Sequence, residues 1–195
     1  MKIVPRGSFG DRDWQRTRNF RVRVASELDH APMCRLLVSA YREYQWCLTP
    51  NAYMMYMTDL VDLEPRVRAG RALVAERGGQ LVGTISCGRE PLEIATGPRA
   101  AWPAEFAVVH GFAVRRDVRR LGVGAALIEE SVARARGQGA RALGLHIAPF
   151  MTSAVALAER FGCLRAPAFD FDPAQAEDPL VGQRLPLLAY VLPLQ

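Results

Sequence analysis

Apolar and basic residues alternate along Phe20-Arg21-Val22-Arg23-Val24, the period-two pattern that predicts a half-buried first strand. Past Ser26 or Asp29 as a cap, the apolar positions of APMCRLLVSAYREY (31–44) change to helical spacing. Thr49-Pro50 opens a second predicted helix over LTPNAYMMYMTDLVDL, since proline suits the first helical position. Two apolar runs then flank Arg77-Gly78-Gly79-Gln80, a tight-turn signal that predicts a hairpin. Residues 89–103 hold three prolines and a glycine and predict a loop. A strand over 106–114, a helix, a strand over 140–147 and a helix over TSAVALAERFG follow. The acidic loop FDFDPAQAEDP and a closing strand in RLPLLAYVLPL complete the pattern. No internal repeat occurs. The hairpin requires antiparallel neighbours and the strand-helix-strand unit at 106–147 favours parallel ones, so the layout predicts an α/β fold around a mixed sheet.

The joint between the fourth strand and its helix, FAVRRDVRRLGVGA, concentrates four arginines, Arg115, Arg116, Arg119 and Arg120, ahead of Gly122 and Gly124. Leu121, Ala125, Ile128, Val132 and Ala135 recur at helical spacing and predict the buried face of the helix. Its first turn therefore carries two glycines, each costing about 1 kcal/mol of helix stability. In return they leave backbone that an external group can approach closely. First-turn N–H groups lack helical partners and lie at the positive end of the dipole, so arginines here predict an anion site, most naturally for phosphate. The pattern is not a P-loop, because Gly124 is followed by Ala125-Ala126 instead of Lys and Ser or Thr. Nor is it a dinucleotide fingerprint: Leu127 stands where a small residue is required, and RALGLHI supplies no carboxylate.

Composition adds little beyond bounds. A chain of 195 residues, 50% hydrophobic and 23% charged, predicts one globular domain over 18–195. Residues 1–17 lack periodicity and read as an arm, in which Val4-Pro5-Arg6-Gly7-Ser8 resembles the remnant of a thrombin site left by an expression tag. No apolar run reaches the roughly 20 residues of a membrane span, and charges interrupt any signal-like core, so a cytoplasmic protein without a membrane partner is expected. Cys34, Cys47, Cys87 and Cys163 are too scattered for a disulfide scaffold or zinc site and predict reduced, mostly buried thiols. The three histidines do not cluster either, and no metal is expected. The net charge of +5 rests almost wholly on arginine. It reads either as coding bias with a solvated surface or as attraction to an anionic ligand; without a nucleic-acid-binding signature, no nucleic-acid partner is expected.

Arg119-x-x-Gly122-x-Gly124 directly after the apolar run ending Phe112-Ala113-Val114 resembles the acetyl-CoA motif of the GNAT acyltransferase superfamily. The resemblance covers about residues 20–195 and includes the strand order. It implies the GNAT fold: a mixed central sheet of six to seven strands with about four helices, splayed between the fourth and fifth strands. It implies acetyl-CoA as co-substrate. Backbone amides from Arg119 or Arg120 through Leu121, Gly122, Val123, Gly124 and Ala125 would cradle the pyrophosphate. The main chain of Phe112, Ala113 and Val114 would align with the pantetheine arm by strand addition. It also implies direct acyl transfer to an amine, most simply a small molecule, with a peptide or protein N-terminus or lysine as the other acceptor class. Family members often form homodimers.

The family pattern breaks on the next helix, where Met151 and Ala158 occupy positions held in many relatives by a cofactor-binding Asn and a Tyr that protonates the departing thiolate. The alternative to an active enzyme is therefore a catalytically silent CoA-binding sensor or regulatory module. Three residues are candidate general bases. His110 shares a side with Phe112 and Val114 if no bulge intervenes; Glu105 opens the strand; His146 lies near the end of the fifth. Each also reads as a structural residue, His110 and His146 as satisfied imidazoles. Cys163 reads as a small buried group rather than a nucleophile. The aromatic stretch 41–57, Trp102, and the acidic Asp170, Asp172, Glu177 and Asp178 are candidate acceptor walls, or else helix core and solvated loop.

Overall fold

The computed structural model describes residues 19–89, 102–172 and 184–194. The arm expected over 1–17, most of the proline loop, and Glu177 and Asp178 lie outside them. Within them the chain runs β1 (Arg21–Val24), α1 (His30–Tyr41), α2 (Pro50–Val61), α3 (Glu64–Arg68), β2 (Ala72–Arg77), β3 (Gln80–Gly88) and β4 (Phe106–Val114). It continues through α4 (Val123–Gly137), β5 (Ala142–Ile147), α5 (Thr152–Arg160), β6 (Leu164–Arg165) and β7 (Leu188–Pro193). The seven strands form one sheet in the order β1-β2-β3-β4-β5-β7-β6, in which β4 and β5 alone are parallel. No helix of the described residues is long and apolar enough to cross a membrane.

Local chemistry sets most of these boundaries. Ser26 and Arg23 converge on the Asp29 carboxylate, with Arg23 Nη1 and Nη2 at 2.7 and 2.8 Å, tying the end of β1 to the start of α1. Thr49 accepts a hydrogen bond from the Ala52 amide and Pro50 fills the first turn of α2, as their order predicts. Arg77 pairs with Gln80 across Gly78 and Gly79, whose φ angles of 56° and 75° suit a turn that only glycine enters without strain.

The core lies on both faces of the sheet. Met33, Leu37, Leu60 and Leu63 of the α1–α3 region pack on one face, and Val123 and Leu127 of α4 pack with Leu73, Val82 and Ile85 on the other. The buried side of α4 differs from the predicted one: Leu121 is 55% exposed, and Val123, Ala126, Leu127, Ser131, Val132 and Ala135 face inward. Gly122, at φ 86°, caps the helix, so Leu121 belongs to the preceding turn and the inward stripe is rotated. Ser131 is tolerated inside because its hydroxyl donates to the Leu127 carbonyl at 2.8 Å. The four cysteines form no disulfide with one another; Cys47 is exposed and the other three half-buried, less enclosed than the sequence suggests.

Candidate active site

β4 and β5 pair only from Phe106↔Ala142 to Val109↔Leu145. Both strands continue beyond, β4 to Val114 and β5 to Ile147, without pairing to each other. β5 keeps its other neighbour, β7, to the end. The sheet is therefore split at its centre, as the family resemblance implied.

The cause is a bulge. Ser86 pairs with His110 and Thr84 with Ala113, so Ile85 of β3 faces two β4 residues, Gly111 and Phe112. Gly111 has φ 56°, the left-handed conformation such a bulge requires. The extra residue reverses the phase of the strand. Ala107 and Val109 pack on the α4 side, and so do Phe112 and Val114. By alternation His110 lies on the opposite face, and a Cβ on Gly111 would point there too, 3.8 Å from Arg66 Nη1 and 4.0 Å from Leu37. The expectation that His110 shares a side with Phe112 and Val114 is therefore corrected: the bulge turns it toward α1 and α3.

The Arg115 amide donates to Val82 on β3, so by the alternation of antiparallel strands the main chain of Val114 and Phe112 faces the split. Their carbonyls accept from Arg119 Nε at 3.2 Å and Tyr41 Oη at 3.1 Å. Arg119 is also held by Glu43, at 3.2 and 2.6 Å from its two terminal nitrogens, and Arg116 reaches the same carboxylate at 2.9 Å. These bonds, led by that from Arg119, hold Glu43 below the usual carboxylate range. The arginine of the motif thus ties the turn to Glu43 and also caps the Val114 carbonyl on the side of the split. Arg120 at φ 64° and Gly122 at φ 86° curl the backbone into α4, a shape that gathers N–H groups around an anion. A Cβ on Gly124 would stand 3.1 Å from Phe112 Cζ, 3.4 Å from Leu157 and 3.6 Å from Val114. Glycine here lets the helix start close against β4 and α5, beside the mouth of the split.

From this mouth a cavity of about 140 Å³ crosses the plane of the sheet. On the α4 side Ile128, Val109 and Phe112 line it; on the other, Tyr41, Tyr56, Arg66, His110 and His146. Met151 and Ala158 both face it, so the place where many relatives carry a tyrosine holds a methyl group. Burial raises the phenols of Tyr41 and Tyr56 well above 10, and the two share a hydrogen bond. Sequence reasoning marked the aromatic stretch that contains both tyrosines but gave no sign of Arg66, which sits in a five-residue helix without a clear apolar period.

Two candidate bases meet at the cavity and the third does not. The buried Nε2 of His110 has no hydrogen-bond partner among the described residues. Desolvation, aided by the charges of Arg66 and His146, depresses its imidazole to about 3. His146 Nε2 lies 2.8 Å from the Phe169 carbonyl, which can only accept, so the proton of the neutral ring is on Nε2. Burial lowers this imidazole also. Trp102 packs 4.8 Å from the His146 ring and covers Gly144, so it walls the base of β5. Glu105 lies at the paired end of the strand, its carbonyl bound by the Arg141 amide, five residues or roughly 16 Å from His110. Burial pushes the Cys163 thiol up to about 11, against any thiolate at neutral pH. Among the described residues no cluster of His, Cys, Asp and Glu could hold a metal ion.

The depressed histidine makes a stability forecast. The unfolded chain binds a proton at His110 below about 6.5 and the folded chain only below about 3, so stability is lost as pH falls through that window. The slope should be about 1.4 kcal/mol per pH unit from this group. Denaturant midpoints between pH 4 and 6 should show it, and His110→Gln should flatten the curve by that amount. An unchanged slope would place the histidine in contact with water.

The residues present fit a CoA donor: glycine clears the helix start, the turn gathers amides, and the unpaired edge of β4 leads into the cavity. Residues 37–163 match the model of the acetyltransferase (GNAT) family. Comparison with curated proteins finds no match. Among solved structures the chain is similar to an N-acetyltransferase from Staphylococcus aureus Mu50, at 19% identity and TM-score 0.63, covering 91% of this chain and 99% of that one. It is similar to the PaiA N-acetyltransferase from Thermoplasma acidophilum in complex with coenzyme A, at 10% identity and TM-score 0.66, over 89% and 98% of the chains. The protein yncA from Salmonella typhimurium, solved with its cofactor acetyl-CoA, aligns at 16% identity and TM-score 0.63, over 91% and 95%. At these identities the structures speak for the fold, and the family model, which spans most of the chain, speaks for descent: the protein belongs to the GNAT acetyltransferase family.

Proposed function

We propose that the chain is an N-acetyltransferase that moves an acetyl group from acetyl-CoA to the amine of a small molecule by direct attack on the thioester. The observation that carries this reading is the split beyond Val109↔Leu145, which joins the amide-lined turn at Arg120–Gly124 to the buried cavity. Amides from Arg119 through Ala125 hold the diphosphate at the positive end of α4. The main chain of Phe112 and Val114 pairs with the pantetheine amides, after Tyr41 and Arg119 yield their carbonyl contacts. Acetyl-CoA supplies an activated acyl group on a thiolate leaving group. The cavity is small and largely apolar, which favours a small amine over a protein terminus or lysine.

An amine entering this cavity loses hydration, which lowers its ammonium pKa and favours the neutral nucleophile. His110, neutral above about pH 3, offers a lone pair that orients an amine N–H but does not retain its proton at neutral pH. His146 presents Nδ1 as the second acceptor. The pH dependence of kcat/KM should then follow the free-amine fraction of the acceptor. His110→Ala should lower kcat/KM by about 10–100-fold without removing that dependence. If the variant flattens the profile, the histidine is itself the titrating base.

The reading is tested by incubating the protein with acetyl-CoA and a panel of small amines, following free thiol and the acetylated products by mass. CoA binding with no thiol release above background across the panel would favour a silent CoA-binding module, for which Ala158 is the motivating residue.

A further inference from the structure

We propose that the acceptor carries a carboxylate close to its amine, and that the buried guanidinium of Arg66 on α3 binds it. The inference rests on the acetyl-transfer reading above and names the class of acceptor.

Arg66 is 2% exposed, the largest of the fully buried side chains among the described residues. A guanidinium out of water requires partners for its five N–H donors. Among the described residues it has one hydrogen bond, from Nη1 to the Leu60 carbonyl at 3.3 Å. Its Nη2 stands 3.6 Å from Asp59 Oδ1, an ion pair beyond hydrogen-bond distance. Desolvation lowers its pKa despite the opposing pull of Asp59 and Asp62, so the acidic neighbours do not compensate the burial. A buried cation with most of its donors unused is costly to keep when its only role is to brace a helix.

Its position gives those donors a use. The guanidinium lies against the bulge, with Nη1 3.8 Å from the place of a Cβ on Gly111, and it lines the cavity with His110 and Tyr56. This is the inner end of the split, where the unpaired edge of β4 would deliver a thioester. Beside the guanidinium the wall carries the Asp59 carboxylate, and Leu60, Ile147, Met151 and Phe171 make the rest of this end apolar. An acceptor seated there meets one fork of N–H donors suited to a carboxylate, in a shell that excludes water. At about 140 Å³, the space suits an acceptor the size of an amino acid or an aminobenzoate.

The test compares matched acceptors on the wild-type protein: phenylalanine with phenethylamine, and 4-aminobenzoate with aniline, with an aliphatic diamine alongside. The expected result is about 100-fold or greater preference in kcat/KM for the carboxylate member of at least one pair, because a site built to bind a group rejects the analogue lacking it. Arg66→Lys should retain part of this preference. Arg66→Gln should abolish it by raising KM for the carboxylate member, so that the two members of the pair turn over with similar kcat/KM. Equal turnover within both pairs, or preference for the diamine, overturns the carboxylate assignment and leaves acetyl transfer standing. No transfer to any of the five amines, with acetyl-CoA binding intact, overturns both. The wild-type comparison decides the matter even if Arg66→Gln fails to fold.

Discussion

Gly124→Glu should raise the Kd for acetyl-CoA by about 100-fold or more, equivalent to roughly 2.7 kcal/mol, in a protein that still folds. The reason lies in where its side chain must go. A Cβ at this position is aimed at Phe112 Cζ, 3.1 Å away, with Leu157 and Val114 just beyond, and these residues flank the mouth of the split. The aromatic ring can give by the few tenths of an ångström that a methyl group needs, so Gly124→Ala should weaken the donor only modestly. A glutamate must extend along the path of the pantetheine arm and leave its carboxylate beside the diphosphate amides, where charge repulsion adds to the obstruction. Calorimetric titration with CoA measures the effect, and a thermal melt confirms folding. Undiminished affinity in a folded Gly124→Glu protein would mean that the phosphates sit elsewhere.

Gly111→Val should abolish turnover, at least about 100-fold, and cost about 2–4 kcal/mol of stability. The space itself is open: a Cβ would meet Arg66 Nη1 at 3.8 Å and Leu37 at 4.0 Å, ordinary contacts. The obstacle is φ, at 56° a conformation that a β-branched residue strongly resists. To relax, the strand must lose the bulge, and its phase beyond His110 then inverts. Phe112 and Val114 would leave the α4 face, and the main-chain edge that meets the donor would turn with them. Gly111→Ala should fall between, with about 1 kcal/mol of strain and partial activity. Denaturant midpoints and turnover of the two variants give the test; wild-type turnover in Gly111→Val would show that the bulge is not needed to shape the site.

The same two glycines show how far the chain could be read before its structure. Gly124 was legible as a site residue because it lies in a strand-turn-helix joint whose signals are local: an apolar run, clustered arginines, two glycines and a helical period. The structure adds a packing reason to the access reading, since the glycine also admits Phe112 and Leu157. Gly111 stood inside a strand pattern, where a glycine hints at a bulge without saying that one is present. Only pairing with β3 shows one residue opposed by two. His110 depended on that answer, and its side of the sheet could not be assigned without it.

By itself, then, the sequence determined the order of six of the seven strands and four of the five helices, the hairpin at Gly78-Gly79, the proline-started second helix and the anion-seeking start of α4. Each follows from periodicity, turn chemistry or helix-end electrostatics within a dozen residues. The tertiary structure alone decided which side of the split each histidine faces, that Arg119 braces the turn through Glu43, and that Arg66 lies buried beside the bulge. Those outcomes depend on which distant segments meet. Glu43 and Arg119 are 76 residues apart, and Arg66 reaches the bulge from another layer. Strand register and burial belong to pairs of elements, and no local pattern within either partner encodes them.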